Sequence, residues 1–193
     1  STLGYDIIGR IFERLIPANE RHNLGQYFTQ PDVVDLILGF CLNHEDDKII
    51  DPSCGAGTFL VRAYQNKKIM NQMKKHEDIL DTLWGSDIAK FPAHLSTINL
   101  VINDLSSDIN YPNILPCDFF SLLSGAEGFN PENWRKSRAK TLGLKERDIV
   151  HPRWFDAVVG NPPYTRQEEI GDISTEDAEY KKNMIENALH FKG

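Results

Sequence analysis

Short apolar runs that stop at a polar residue alternate in this sequence with segments of helical periodicity. Strands that alternate with helices in this way predict an α/β fold, in which a parallel sheet carries helices on both faces. The predicted strands are 48–51 ending at Asp51, a run ending near Asp87, 113–117 ending before Asp118, and 155–159 ending before Asn161. Because ligands bind at the carboxyl ends of such strands, we expect these four polar side chains to share one site.

The segments between these strands carry helix signals. Apolar residues recur at helical spacing before Pro17, which predicts a first helix. Pro31 suits the first position of a second helix, with Thr29 or Gln30 at its cap. Further helices are predicted at 59–75, after Pro92 and close to the C-terminus.

Other residues are predicted to have structural roles. Residues 121–154 are predicted to form an irregular or helical insertion. The lysines of the third helix are predicted to form a solvated face, and they are Lys67, Lys68, Lys74 and Lys75. The tryptophans are predicted to pack in the interior, and they are Trp84, Trp134 and Trp154.

Composition and charge exclude several classes of function. The net charge of -7 argues against a broad nonspecific grip on phosphate by the chain as a whole. The three cysteines lack Cys-x-x-Cys spacing and the histidines lack His-Glu-x-x-His spacing, so no metal site is predicted. No apolar run is long enough to span a membrane and no secretory signal is present, so we predict no membrane association and a cytoplasmic location.

The loop DPSCGAGTF follows the first predicted strand and has glycines at Gly55 and Gly57. This loop departs from the dinucleotide-binding fingerprint, which is Gly-x-Gly-x-x-Gly followed by an acid about 20 residues further on. Leu60 stands in place of the third glycine, and the next strand-end acid, Asp87, lies too far along the chain. An acid at Asp51 would repel a pyrophosphate but would favour a cationic amino group. Asp87 would suit two ribose hydroxyls and Asp118 an adenine amino group, which describes S-adenosylmethionine better than NAD.

The last predicted strand ends at Asn161-Pro162-Pro163-Tyr164. Two consecutive prolines remove two backbone donors and fix two φ angles, so that neither a helix nor a sheet ladder continues through them. An amide, a carbonyl and an aromatic ring are therefore held together at a strand end.

Five motifs, GQYFTQPDVVDLIL, DPSCGAGTFL, LWGSDI, CDFF and GNPPY, occur in this order. They resemble the motifs of the gamma group of adenine-N6 DNA methyltransferases, which includes modification subunits of type I restriction systems and fused restriction-methylation enzymes. The resemblance covers roughly residues 20 to 167. It implies a Rossmann-like, S-adenosylmethionine-dependent methyltransferase core with a partly truncated parallel sheet at 46–193, preceded by an N-terminal helical segment at 1–45.

The resemblance also implies roles for individual residues. The methionine end of the cofactor would be flanked by Tyr27, Phe28 and Thr29. The cofactor loop would comprise Asp51, Ser53, Cys54, Gly55 and Gly57. The ribose and adenine would be held by Asp87, Ile88, Asp118 and Phe119. The catalytic set would be Asn161, Pro162, Pro163 and Tyr164.

These roles imply a mechanism without a metal or a covalent enzyme intermediate. Adenine N6 is a poor nucleophile, and the Asn161 side-chain oxygen and the Pro162 carbonyl would accept its two hydrogens. Tyr164 would stack on the target base after it is flipped out of double-stranded DNA. The resemblance further implies a DNA-recognition domain or specificity subunit outside this chain.

Two other functions stay open on the sequence alone. NPPY also occurs in methyltransferases that act on RNA or on protein glutamine, because their amide or amino nitrogens pose the same chemical problem. The family fold that the resemblance implies has a seven-stranded sheet, of which only four strands can be placed. The second open function is therefore a cofactor-binding fragment that is incomplete at its C-terminus and inactive alone.

Overall fold

The computed structural model describes residues 29–107, 109–119, 136–140, 146–152 and 154–162. The described helices are α1 Pro31–Cys41, α2 Thr58–Met70, α3 His76–Leu80 and α4 Lys90–Val101. The described strands are β1 Ile49–Asp51, β2 Leu83–Ser86, β3 Asn113–Leu115, β4 Lys136–Lys140, β5 Glu146–Val150 and β6 Ala157–Val158. The predicted helix before Pro17 and the helix predicted near the C-terminus lie outside the described residues.

Four parallel strands form the central sheet, in the spatial order β3-β2-β1-β6. Strand β1 is an inner strand that pairs with β2 on one side, Ile50 opposite Trp84, and with β6 on the other, Ile50 opposite Val158. The predicted α/β class with a parallel sheet is therefore confirmed. The predicted helices on both faces are not found among the described residues, because all four described helices contribute to the cluster on one face. The predicted domain boundary at residue 45 stays a prediction.

One face of the sheet packs against the helices. Strands β1, β2 and β3 are buried throughout, as expected for short apolar runs in a parallel sheet. Alternate strand residues, among them Ile49, Leu83 and Ile114, share one hydrophobic cluster with Leu38 of α1 and Leu60 of α2. This cluster fixes the helices over the centre of the sheet.

The opposite face carries a second cluster, built from Ile50, Trp84, Leu115 and Ile149. The ring of Trp84 meets that of Phe155 edge to face, with 5.3 Å between centroids. Ile149 belongs to β5, which pairs antiparallel with β4. The predicted packing role of Trp84 is thus confirmed.

The strands β4 and β5 contradict the prediction of an irregular or helical insertion at 121–154. Lys136 to Lys140 reads KSRAK, with almost no apolar residues, so it lacks the alternation that identifies a strand. Its pairing rests on the backbone ladder between Lys136–Lys140 and Glu146–Val150. Other residues of the predicted insertion, including Trp134, lie outside the described residues.

Helix α1 packs against α2 through a small apolar face and an ion pair. Pro31 stands at its first turn, and Val34 and Leu38, four residues apart, are its buried residues. The guanidinium of Arg62 makes two hydrogen bonds to the Asp35 carboxylate, one of them 2.7 Å from Nε. The helix-starting role of Pro31 is therefore confirmed.

The lysines of the third predicted helix are mostly not solvated, so that prediction is wrong. Lys67 is fully buried, and its ammonium donates to the backbone carbonyls of Glu45, at 3.1 Å, and Asp47. Burial first, and then the charge of Lys74, lowers its pKa to about 8. The loop after α1 folds back over this position, which helical periodicity does not reveal. Of the four lysines, Lys75 is exposed.

Two further elements differ from the predictions. Helix α2 ends at Met70 rather than 75, and the run that ends near Asp87 is a strand only from Leu83, because the preceding apolar residues Ile79 and Leu80 belong to the short helix α3. Trp154 was predicted to pack in the interior but is 64% exposed, with the Lys48 ammonium 5.9 Å from its ring centroid.

In the part of the chain that the structure describes, no helix combines the length and apolar composition of a membrane span.

Replacing Lys67 by alanine tests its buried role. The change would empty buried space and remove the hydrogen bonds to the Glu45 and Asp47 carbonyls, of which Glu45 keeps a donor in Lys74. We therefore expect the free energy of unfolding to fall by about 2–4 kcal/mol. The exposed Lys75→Ala should change it by less than about 0.5 kcal/mol. Urea unfolding of both variants measures this, and equal losses would contradict the buried role of Lys67.

Candidate active site

The loop between β1 and α2 is built around two glycines in left-handed conformation. Gly55 has φ +52° and Gly57 has φ +89°, a region that residues with a Cβ rarely adopt. The loop is tied to the end of β2, because the Cys54 amide donates to the Ser86 carbonyl at 2.8 Å. In return the Ser86 hydroxyl donates to the Pro52 carbonyl at 3.0 Å. The loop is therefore held in one shape by its neighbouring strand.

The Asp87 carboxylate reinforces this connection. Its Oδ2 accepts a hydrogen bond from the Gly55 amide at 2.9 Å, and its Oδ1 accepts one from the Ala89 amide at 2.8 Å. A carboxylate has about four lone-pair positions, so both oxygens retain acceptor capacity. Asp87 can therefore hold the loop and still accept from a ligand.

Asp51 is the most unusual group of the site. It is only 2% exposed, and its Oδ1 accepts from the Ser53 amide at 3.0 Å. Burial, helped by the negative charge of Asp87, raises the pKa of Asp51 to about 7. Among the described residues, the only ion pairs join Arg62 to Asp35 and Lys74 to Asp46. A cationic ligand group would supply the missing charge.

Asn161 enters the site because β6 pairs with β1. The Val159 amide donates to the Ile50 carbonyl at 2.9 Å, which leaves the next residue, Gly160, beside Asp51. A Cβ at Gly160 would lie 2.6 Å from Asp51 Oδ1. The glycine loop and the start of the NPPY motif are thus neighbours. Asn161 is half-buried and Pro162 is exposed.

The remaining predicted site residues lie after β3, after β2 and before α1. Asp118 follows β3 and is half-buried, while Phe119 packs against the cluster that contains Trp84. The Ile88 side chain is 77% exposed, and Thr29 precedes α1. The predicted site residues outside the described part of the chain are Tyr27, Phe28, Pro163 and Tyr164.

Two residues of α4 support the loop and were not identified from the sequence. Asn99 donates from Nδ2 to the Ala56 carbonyl at 2.9 Å. A Cβ on Gly57 would lie 2.5 Å from Ser96 Oγ, so the helix touches the loop backbone directly. Both side chains are buried, and Ser96 Oγ, Asn99 Oδ1 and Ser53 Oγ lack hydrogen-bond partners. No clear signal marks them in the sequence, because Lys90, His94 and Thr97 of the same helix are polar as well.

Cys54 is a buried packing residue within the glycine loop. It is 5% exposed and belongs to the hydrophobic cluster between the sheet and the helices. Burial, followed by the charges of Asp51 and Asp87, raises the pKa of its thiol well above the usual range. A thiol in this state is a poor nucleophile. Within the described ranges no three His, Cys, Asp or Glu side chains are grouped to hold a metal ion.

Comparison with known proteins gives consistent matches. The family model for N-6 DNA methylase matches residues 3–190. The type I restriction enzyme MjaVII methylase subunit of Methanocaldococcus jannaschii is 24% identical over 156 residues, which is 80% of this chain and 23% of that protein. The type II methyltransferase M.BstVI of Geobacillus stearothermophilus is 30% identical over 159 residues, which is 77% of this chain and 26% of that protein.

Among solved structures, the ATP-dependent Type ISP restriction-modification enzyme LlaBIII bound to DNA has a TM-score of 0.52. Its sequence identity is 20%, and the match covers 92% of this chain and 13% of that one. This likeness concerns the fold. The chain spans about a quarter of the length of the curated relatives it matches.

The raised pKa of Asp51 predicts how stability depends on pH. Unfolding returns this carboxyl to its ordinary value of 3.8. Between about pH 4 and 7 the folded state therefore keeps a proton that the unfolded state releases, and the free energy of unfolding falls as the pH rises. The full loss is on the order of 4 kcal/mol above about pH 7. We expect Asp51→Asn to abolish this loss in urea unfolding at about pH 5 and 8.

Asp46→Asn is the matched control for this measurement. Asp46 is an exposed acid that pairs with Lys74, and this hydrogen bond lowers its pKa. Its replacement should bring no gain in stability at the higher pH. If Asp51→Asn and the natural chain lost stability in parallel between the two pH values, the raised pKa of Asp51 would be wrong.

Proposed function

The chain belongs to the N-6 DNA methylase family, and from this premise we propose that the protein transfers a methyl group from S-adenosylmethionine to N6 of adenine in DNA. The relatives named above are methyltransferases of restriction-modification systems, and we propose the same setting here. The observation that carries the proposal is the meeting of Asp51, the glycine loop and the start of the NPPY motif at one sheet edge.

The charges of the site residues suit S-adenosylmethionine. Asp51 is a buried acid that has a raised pKa, and no described cation pairs with it. A carboxylate of this kind favours the ammonium group of the methionine moiety. Asp87 keeps acceptor capacity for the ribose hydroxyls while it holds Gly55. The acid at the end of β1 argues against a pyrophosphate at the same position.

The start of α2 adds donors of the opposite kind. The helix begins after Gly57 without a side-chain hydrogen bond to cap it. The first turn of a helix carries partial positive charge, which favours a negative group such as the carboxylate of the methionine moiety. As the family resemblance implies, Asp118 and Phe119, after β3, would complete the adenine pocket, and Ile88 would help Asp87 to hold the ribose and adenine. Thr29 would flank the methionine end of the cofactor.

The chemistry requires a nucleophilic amino nitrogen and an acceptor for its hydrogens. S-adenosylmethionine, when bound, supplies a methyl group whose carbon bonds to adenine N6 while the carbon–sulfur bond breaks towards sulfur, and one N6 proton passes to solvent. The Asn161 side-chain oxygen and the Pro162 carbonyl would accept hydrogen bonds from N6 and orient its lone pair. This contribution is positioning and electrostatic stabilisation by groups fixed at a strand end.

Double-stranded DNA is the proposed partner. An enzyme that acts on a base within a duplex must flip it out, and Tyr164 would stack on that base. Pro163 would keep the motif extended. A DNA-recognition domain or specificity subunit would supply contacts beyond this chain, whose net charge of -7 offers little attraction to phosphate. The cytoplasmic location stays part of this proposal.

Calorimetric titration of the chain with S-adenosylmethionine tests the cofactor site. We expect binding, and we expect Asp51→Ala to weaken it by about 10- to 100-fold, because a charge-assisted hydrogen bond is lost. Asp46→Ala, an exposed acid elsewhere in the chain, should leave affinity unchanged. Equal affinity of the Asp51 variant and the natural chain would remove Asp51 from the cofactor site.

Replacement of Asn161 by alanine tests the catalytic assignment in the full-length natural protein. We expect turnover on adenine-containing duplex DNA to fall by about 10²- to 10³-fold, because an acceptor for the N6 hydrogens is lost. Cofactor affinity should stay the same. Asn43→Ala, which removes an exposed amide, is the control. Unchanged turnover in the Asn161 variant would exclude its catalytic role, and methylation of RNA or protein glutamine instead of DNA would select another substrate.

A further inference from the structure

We propose that Gly160 is a positioning residue, whose missing side chain lets the Asp51 carboxylate lie against the backbone that leads into Asn161. This inference rests on the proposed function. It assigns to the residue before the NPPY motif the task of setting the separation between the cofactor carboxylate and the catalytic amide. Nothing in the local sequence requires a glycine there.

Strand pairing brings Gly160 and Asp51 together. Ile49 lies opposite Ala157 and Ile50 opposite Val158 in parallel register. The ladder closes with the hydrogen bond from the Val159 amide to the Ile50 carbonyl. Gly160 is therefore the first residue beyond the ladder, at the level where the Asp51 side chain turns across the end of β6.

The space at Gly160 is already filled by the Asp51 carboxyl group. A Cβ there would lie 2.6 Å from Oδ1, 3.3 Å from Cγ and 3.7 Å from Oδ2. The first distance is far shorter than a normal contact between a methyl carbon and an oxygen. Gly55 differs, since a Cβ there would meet nothing within 4 Å. Gly160 lacks space for a Cβ and also has φ +159°, whereas Gly55 is required by its backbone conformation alone.

Neither the Asp51 carboxylate nor the backbone at residue 160 can move without disturbing the site. Asp51 lies in an inner strand, is 2% exposed and is held at Oδ1 by the Ser53 amide. A side chain at 160 would push either this carboxylate away from its place or Asn161 away from the cofactor. A misplacement of about 1 Å near reacting atoms can lower turnover by about 100-fold.

The test compares alanine at Gly160 with alanine at Gly39, where a Cβ would meet nothing within 4 Å. In the full-length protein we expect Gly160→Ala to lower kcat at saturating S-adenosylmethionine by about 100-fold, and Gly39→Ala to leave it unchanged. A role in folding alone would reduce the active fraction. It would leave kcat per folded molecule as it was, so the folded fraction is measured by urea unfolding in parallel.

A double-mutant cycle isolates the contact itself. Gly160→Ala should lower the urea midpoint more in the natural chain than in an Asp51→Ala background, where the backbone strain at φ +159° remains but the obstructing carboxylate is gone. Equal shifts in both backgrounds, or full kcat in Gly160→Ala, would overturn the proposal. If the unsubstituted protein transferred no methyl group, the proposed function would be overturned instead. The two outcomes are distinguishable because the unfolding cycle measures stability and requires no methyl transfer.

Discussion

The parallel pairing of β1 with β2 and β6 is the constraint on which the site depends. Because β1 is an inner strand, its terminal residue Asp51 is enclosed by the ends of two neighbouring strands. One neighbour leads to Asp87 and the other to Asn161. If β6 slipped by one residue, its side chains would change face, and Asn161 would be separated from the glycine loop.

Enclosure of Asp51 lowers stability and supports function at the same time. The folded chain must keep a carboxyl in a place where its charged form is disfavoured, as its raised pKa shows. The surrounding structure offsets this by holding the loop through Ser86, Asp87 and Asn99. The result is a preorganised loop that a cationic group of the cofactor would complete. A ligand that binds only this folded site would also stabilise the chain.

Much of this arrangement could be predicted from the sequence. The family assignment and the parallel sheet are confirmed. Both could be predicted because strand-ending acids and glycine-rich turns are local signals in the sequence. The hairpin strand at Lys136–Lys140 was missed because a polar strand that pairs through its backbone has no apolar period. Lys67 was assigned to solvent for a related reason, since its burial depends on a loop that precedes it by some 20 residues.

The sequence by itself determined the fold class and the polar residues that close the strands, because hydrophobic period and turn chemistry are properties of short segments. Only the tertiary structure decided that Asp51 loses its solvent, that Ser96 and Asn99 lie beneath the glycine loop, and that Gly160 has no room for a side chain. Each of these depends on which distant segments become neighbours. Their contact is set by strand order and helix packing, which no local pattern specifies.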